Sequence, residues 1–149
     1  ACVTNAYRHV LDGEPASAWM GELDAVSHRP YSTGFFYGNP TQNPGRVEYQ
    51  RDRLMVATIE KSVPLPADAA SGPRYMTEVL CRNKAAAGSV LQVLSPREPI
   101  RECRLGALER FDAELQAWVP APDLSRAMER YRTVLPFALE PLDILCLKQ

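Results

Sequence analysis

The chain has 149 residues, 46% of them hydrophobic and 23% charged, a balance typical of a folded globular domain and not of a disordered segment. Its 17 basic and 18 acidic side chains give a formal net charge of −1. This argues against a strong overall attraction to nucleic acid or anionic membranes, although a local basic patch remains compatible with it. No apolar run approaches the roughly 20 residues that span a bilayer, and no secretory signal is visible. We therefore expect a cytoplasmic protein without a membrane partner.

Two short helices are predicted at the N-terminus. The first carries an apolar stripe at helical spacing and ends near Gly13; the stripe is Val3, Ala6, Tyr7, Val10 and Leu11. The second begins near Pro15, and its stripe is Trp19, Met20, Leu23 and Val26. These stripes need a surface to pack on, either the β domain that follows or a domain upstream. Because a helix is already in progress at residue 3, we expect residues 1–26 to lead from an upstream catalytic domain of the same chain.

Residues 27–46 change character and are predicted to form an ordered linker, with Pro30 favouring extended backbone. His28, Arg29 and Tyr31 are candidate substrate-binding residues, because an imidazole beside a guanidinium suits an anion. The alternative is that they only hydrogen-bond the backbone of an irregular segment. The linker also carries four aromatic residues, which either stack on nucleotide bases or fasten the linker to a core: Tyr31, Phe35, Phe36 and Tyr37.

Residues 47–149 are predicted to be mainly β, forming a small antiparallel β-barrel. Alternating apolar residues between Pro and Gly punctuation predict strands at 53–60, 75–82, 90–94, 100–110, 115–119, 131–135 and 142–147. A long loop is predicted over 61–73. A turn of helix is predicted to follow Asp123 and to run to Arg130.

Arg82, Asn83 and Lys84 follow the second predicted strand and are the other candidate substrate-binding residues. Arginine offers a planar fork of donors and lysine a point charge, so the three residues suit contact with phosphate groups. The alternative is that Asn83 only supplies turn geometry while the two cations stay solvated.

The four cysteines, at positions 2, 81, 103 and 146, are spaced too widely for a typical zinc or iron–sulfur site. We therefore predict no metal and no cofactor, with the cysteines acting as small hydrophobic residues. A cytoplasmic protein keeps its thiols reduced, so no disulfide is expected either. A cysteine nucleophile paired with His9 or His28 is the opposing interpretation, and no nucleophile signature surrounds any of the four.

The order of several motifs resembles the C-terminal region of the U32 family of collagenase-like peptidases. Residues 27–35 (SHRPYSTGF) resemble the Ser-His-Arg-x-Tyr-x-Thr-Gly-Phe stretch that links the catalytic domain to the C-terminal domain in that family. Residues 78–84, followed by Gly88 and residues 91–96, resemble its Arg-Asn-Lys/Arg-Phe-x-x-Gly-Asp-x-x-Glu-Val segment, and residues 140–145 resemble its Pro-Tyr-Asp-x-Leu ending. Ala85, Ser89 and Leu142 replace the Phe, Asp and Tyr that are usual in these motifs.

The resemblance implies a small β-barrel like those of translation factors, placed behind a catalytic barrel. It also implies a non-catalytic accessory role, in which the domain positions an RNA or protein substrate for a peptidase or for an enzyme that hydroxylates RNA. The alternatives are a purely structural or self-association domain and a cysteine hydrolase in its own right.

Overall fold

The computed structural model describes residues 2–17, 19–21, 36–38, 53–66 and 72–148. Most of the predicted linker over 27–46, and the predicted stripe residues Leu23 and Val26, lie outside these ranges. Of the four linker aromatics, Phe36 and Tyr37 are described, and both side chains are more than 80% exposed. These two rings contact each other edge to face and do not fasten the linker to the core.

The two predicted N-terminal helices are confirmed. Helix α1 spans Cys2–Leu11, and Gly13 follows it with a φ of 77°, the left-handed conformation that glycine adopts without strain. A second helical segment includes Ser17 and Trp19 to Gly21. Trp19 is only 2% exposed, and its ring centroid lies 5.6 Å from that of His9, so this contact holds the two helices together.

The rest of the described chain is built from ten antiparallel strands, which confirms a mainly β fold. They are β1 Arg53–Pro64, β2 Tyr75–Cys81, β3 Ala85–Ala86, β4 Val90–Leu94, β5 Arg101–Arg104, β6 Leu108–Asp112, β7 Ala117–Ala121, β8 Asp123–Leu124, β9 Arg130–Leu135 and β10 Ile144–Lys148. Eight of them form one sheet in the order β5-β4-β10-β1-β2-β9-β6-β7, and β3 pairs with β8.

Strand β1 bends because it carries two irregularities in its pairing. Its register against β10 shifts between Met55 and Ala57, and its register against β2 shifts between Ile59 and Lys61. Val56 and Ala57 are consecutive and both fully buried, which a regular strand does not allow because its side chains alternate between faces. Such bulges bend a strand and increase its twist, so the sheet curves at its centre.

One face of this curved sheet forms the core. A single buried cluster collects side chains from strands near both edges of the sheet, such as Cys103 of β5 and Leu108 of β6, as well as Val56 and Val79 from its centre. A flat eight-stranded sheet would be about 35 Å wide, and its outer strands could not share one cluster. The sheet therefore curls around its own apolar face.

The predicted barrel is not confirmed, because the sheet is open: β5 and β7 are its edges, and no ladder joins them in the described part of the chain. A separate two-stranded ladder, formed by β3 and β8, lies beside the open sheet. The ladder between β3 and β8 pairs Ala85 with Leu124, and the next amide, Ala87 N, donates to Pro122 O at 3.3 Å. Just after it, Gly88 N donates to Leu105 O, the residue that follows β5.

Several predicted strand boundaries are wrong. The strand β1 continues to Pro64, into the predicted loop. The single strand over 100–110 is two strands, β5 and β6, separated at Gly106, where an added Cβ would lie 3.4 Å from both Thr133 Oγ1 and Val134 O. The last strand starts at Ile144 and not at Leu142, whose φ of 74° is incompatible with a strand.

The predicted helical turn from Asp123 to Arg130 is also wrong. Asp123 and Leu124 form β8, and Met128 then adopts a left-handed φ of 68°, which interrupts any helix. Tyr131 explains this geometry, because its buried hydroxyl accepts hydrogen bonds from the Arg126 and Ser125 amides at 3.2 and 3.5 Å. The turn wraps around the end of this side chain.

Replacing Tyr131 with Phe should lower the free energy of unfolding by about 1 kcal/mol, because both amides lose their acceptor while the packing volume is kept. Chemical denaturation of the two proteins measures the difference. Tyr75→Phe is the matched control, since the Tyr75 hydroxyl makes no hydrogen bond among the described residues; its stability should stay within about 0.5 kcal/mol of wild type. Equal losses in the two variants would contradict the assignment.

Candidate functional site

The six sequence-predicted site residues fall into two groups. His28, Arg29 and Tyr31 lie outside the described residues, so their role stays a prediction. Arg82, Asn83 and Lys84 directly follow β2, and all three side chains are exposed. The structure thus places the second group on the surface at one end of the sheet.

Asn83 has a structural role in this group. Its side-chain Nδ2 donates to Met55 O at 2.8 Å, and its backbone amide donates to Val56 O at 3.0 Å. The Arg82 amide donates to the same Val56 carbonyl at 2.8 Å. Asn83 therefore pairs the backbone groups that the first bulge of β1 leaves outside the ladder. This supports the interpretation that Asn83 supplies local geometry.

The two cations of the group differ in how much of their charge is neutralised. Lys84 Nζ lies 3.4 Å from Asp123 Oδ2, but Lys84 is 75% exposed, so this ion pair is weak. Arg82 Nη1 lies 2.8 Å from the thioether sulfur of Met128, and no carboxylate among the described residues pairs with it. Arg82 is consequently a cation available to a ligand.

A further set of side chains, which the sequence did not predict as a site, lies beside Arg82 on the outer surface of the sheet. The ladders place Leu80 of β2 opposite Arg130 of β9, and Phe111 of β6 opposite Trp118 of β7. Arg110 of β6 lies opposite Tyr131 of β9 in the antiparallel ladder, so Phe111 lies opposite Arg130. The next row along the strands contains Glu109 and Arg132. We call the four residues Phe111, Trp118, Arg130 and Arg132 the arginine–aromatic face.

Each arginine of this face lies over an aromatic ring. The guanidinium carbon of Arg130 is 4.5 Å from the Phe111 ring centroid, and that of Arg132 is 4.7 Å from the Trp118 centroid. The two rings meet edge to face with centroids 5.3 Å apart. Such cation–π contacts hold the guanidinium groups in place without neutralising their charge.

The two arginines nevertheless differ in their acidic partners. Arg132 Nε donates to Glu109 Oε2 at 2.5 Å, so its charge is paired. Arg130 is exposed and has no carboxylate partner in the part of the chain that the structure describes. Arg130 and Arg82 are therefore two cations without an acidic partner at the same end of the neighbouring strands β9 and β2.

A separate ion-pair network lies at the C-terminal end of β6. Arg110 Nη1 donates to Glu129 Oε2 at 2.8 Å, and its Nη2 donates to Asp112 Oδ2 at 3.1 Å. The hydrogen bond from Arg110 lowers the pKa of the Glu129 carboxyl and raises the pKa of Arg110. The pKa of Asp112 is lowered chiefly because its carboxylate accepts the Leu115 amide, in the turn between β6 and β7. These acids are already paired and leave Arg130 free.

The arginine–aromatic face was missed by the sequence analysis because the strand boundaries around it were wrong. A strand predicted over 100–110 stops short of Phe111, and a helical turn predicted up to Arg130 hides the alternation of Arg130 and Arg132. The signal that could have found the face is the alternation of residues 109 and 111, of 118 and 120, and of 130 and 132, once these segments are read as three neighbouring strands.

Cys81, Cys103 and Cys146 are buried in strands, as predicted, and their thiols are free. Burial raises the pKa of all three, that of Cys103 to about 11. Such thiols are poor nucleophiles at neutral pH, because the thiolate is the reactive form. Of the two histidines, His9 is hydrogen-bonded to Glu14 at 2.6 Å, and the Cys81 thiol donates to Asn83 O at 3.5 Å. Asp123 and Glu129 raise the pKa of Cys81 further through their negative charge.

No protein-family model, no curated protein and no solved structure matches this chain. The resemblance to the U32 family therefore stays a prediction. None of the described helices is long and apolar enough to cross a membrane.

Replacing Asn83 with Ala should lower the free energy of unfolding by about 1 to 2 kcal/mol, because the Met55 carbonyl at the bulge loses its donor. Thermal or chemical denaturation measures the loss. Lys84→Ala is the matched control on the next residue, and it should change stability by less than about 0.5 kcal/mol. If Asn83→Ala proved as neutral as Lys84→Ala, Asn83 would not stabilise the bulge.

The ion-pair network should make stability depend on pH in acid. The folded-state pKa values of Glu129 and Asp112 are lowered, so their stabilisation is complete above the ordinary carboxyl pKa of about 4 and is lost as the pH falls through the lower folded values. In Arg110→Gln, the pKa of Glu129 should rise towards its ordinary value, whereas the pKa of Asp112 should rise less because the Leu115 amide still donates to its carboxylate. Urea denaturation from pH 7 down to about pH 3 should show the stability gap between wild type and variant narrowing; a gap that is constant with pH would contradict this.

Proposed function

We propose that this domain is a non-catalytic accessory part of a larger enzyme. It positions an RNA substrate for a catalytic domain elsewhere in the same polypeptide. The order of the motifs in residues 27–35, 78–96 and 140–145 supports this, since it is similar to the C-terminal region of the U32 peptidases. The mainly β architecture is consistent with the small domain which that resemblance implies.

The observation that carries the proposal is the pair of cations at one end of the sheet. Arg82 and Arg130 are exposed, lie at the same end of the adjacent strands β2 and β9, and have no carboxylate partner among the described residues. Lys84, whose ion pair is weak, lies two residues beyond Arg82. Guanidinium groups bind phosphate oxygens through parallel hydrogen bonds, so these residues form a local phosphate-binding surface on a chain with almost no net charge.

An apolar surface on the N-terminal helices supports the link to a further domain. Val3, Tyr7 and Val10 of α1 are each more than half exposed, and Met20 of the second helical segment is half exposed beside them. A contiguous exposed apolar patch of this kind usually marks an interaction surface. We propose that the catalytic domain of the same chain packs on it. The alternative occupant is a second copy of this chain.

The proposal assigns no catalytic role to the cysteines of the described strands. A hydrolase that used Cys81, Cys103 or Cys146 would need a lowered thiol pKa, whereas burial raises the pKa of each. This favours the accessory role over the cysteine hydrolase that the sequence leaves open.

Binding of a single-stranded RNA oligonucleotide, followed by fluorescence anisotropy at several salt concentrations, tests the proposal. Two or three phosphate contacts predict that the logarithm of the association constant falls with the logarithm of the salt concentration, with a slope of about −1.5 to −2. Arg82→Ala should weaken binding and make the slope shallower by about 0.7.

Arg74→Ala is the matched control. Arg74 is also exposed, but it lies before the start of β2, about 25 Å along the strand from Arg82. It should leave binding and the salt slope unchanged. If RNA fails to bind at low salt, or if Arg74→Ala and Arg82→Ala weaken it equally, the proposal is wrong.

A further inference from the structure

We infer that the arginine–aromatic face is a stacking platform for the bases of single-stranded RNA, with Arg130 contacting the ligand directly and Arg132 positioning Trp118. This inference rests on the proposed function and names the surface that the substrate would contact. It uses residues that no motif of the sequence analysis includes.

The first supporting observation is the arrangement of the rings. Phe111 and Trp118 are cross-strand partners on the outer surface of β6 and β7, and both are only half-buried. With Leu80 and Arg130 they form one row across four neighbouring strands, about 15 Å long. The partly exposed rings and the Arg130 guanidinium plane are flat groups on an antiparallel sheet, and such groups offer successive bases a surface on which to stack, whatever their sequence.

The second observation is the state of Arg130. Its guanidinium is held over the Phe111 ring, yet its hydrogen-bond donors have no carboxylate partner among the described residues. The opposite side of the guanidinium plane faces away from Phe111. An arginine held in this way loses little conformational entropy on binding, and it can stack a base on its plane or donate to a phosphate with its edge.

Arg132 has a different role because Glu109 already pairs with it. Its guanidinium lies over Trp118, so the Glu109–Arg132 pair holds the indole in a fixed orientation beside Phe111. Arg132 is thus a positioning residue, and its contribution to the charge of the face is largely cancelled.

The geometry of the neighbouring edge favours a nucleic acid over an extended peptide. Peptides commonly bind by adding a strand to a sheet edge, where they need a row of backbone donors and acceptors. The edge strand β7 contains Pro120, which has no N–H group, and Pro122 follows directly after the strand. The accessible feature here is the face of the sheet and not its edge, and its chemistry is that of aromatic rings and a free cation.

The experiment uses the full chain and a single-stranded oligouridylate as the probe. Trp118→Ala should weaken binding about 5- to 100-fold, as expected for one lost base stack, whereas Trp118→Phe should stay within a few fold of wild type. Arg130→Gln provides a second variant with less risk to folding, because this side chain is exposed. It should weaken binding at least about 5-fold and make the salt slope shallower by about 0.7.

Arg101→Gln is the matched control. Arg101 also lies over an aromatic ring, 4.3 Å from the centroid of Phe137, but it belongs to β5 at the other edge of the sheet and has Glu98 as a partner. Its replacement should leave the dissociation constant unchanged. Thermal melting of every variant confirms that it is folded before binding is compared.

The outcomes separate this inference from the proposed function. If wild type binds the oligonucleotide but Trp118→Ala and Arg130→Gln bind equally well, RNA binds elsewhere on the domain and the stacking platform is wrong. If wild type does not bind at low salt, the proposed function is wrong and this inference with it. Binding of polyglutamate in place of the oligonucleotide, lost in Arg130→Gln, would also overturn it by identifying an acidic protein as the partner.

Discussion

The fold depends on one constraint: a single sheet has to bury its own apolar face. In the described part of the chain, a hydrogen bond from Asn5 Nδ2 to Pro96 O joins α1 to the sheet region, but no side chain of α1 belongs to the core cluster. The sheet can exclude water from that surface only by curling. The bulges of β1, at the centre of the strand order, supply the bend, and Asn83 satisfies the carbonyl groups that the first bulge exposes.

The same constraint shapes the outer surface. Curling packs the inner side chains closely and leaves the outer ones spread on a convex surface, where Phe111 and Trp118 cannot reach the core. The guanidinium groups of Arg130 and Arg132 cover part of the exposed apolar area of these rings and leave the rest open to solvent. The contacts that shield the aromatic rings thus also produce a surface with the chemistry of a binding site. On this surface the charge of Arg132 is neutralised and that of Arg130 is not.

Much of the fold follows from the sequence because alternation is a local property. The strands around Val79, Leu91 and Tyr131 were predicted close to their observed positions, since each has an apolar residue at every second place. What could not be predicted depends on distant contacts. Gly106 breaks a strand because of its close approach to Thr133, and Met128 leaves helical geometry where the turn wraps around the hydroxyl of Tyr131. The arginine–aromatic face could not be predicted because it also depends on contacts between distant residues. Arg82 and Lys84 could be predicted because they directly follow a strand with clear alternation.

The strand order also affects how the protein forms as it is synthesised. Arg53 at the start of β1 pairs with Lys148 of β10, so the first long strand obtains one of its two neighbours only from a segment made 95 residues later. During translation, one edge of β1 is unpaired until β10 has left the ribosome. The closing of this long loop slows folding, because it precedes the contacts that stabilise the sheet. A chaperone that binds exposed strand edges would act in that interval.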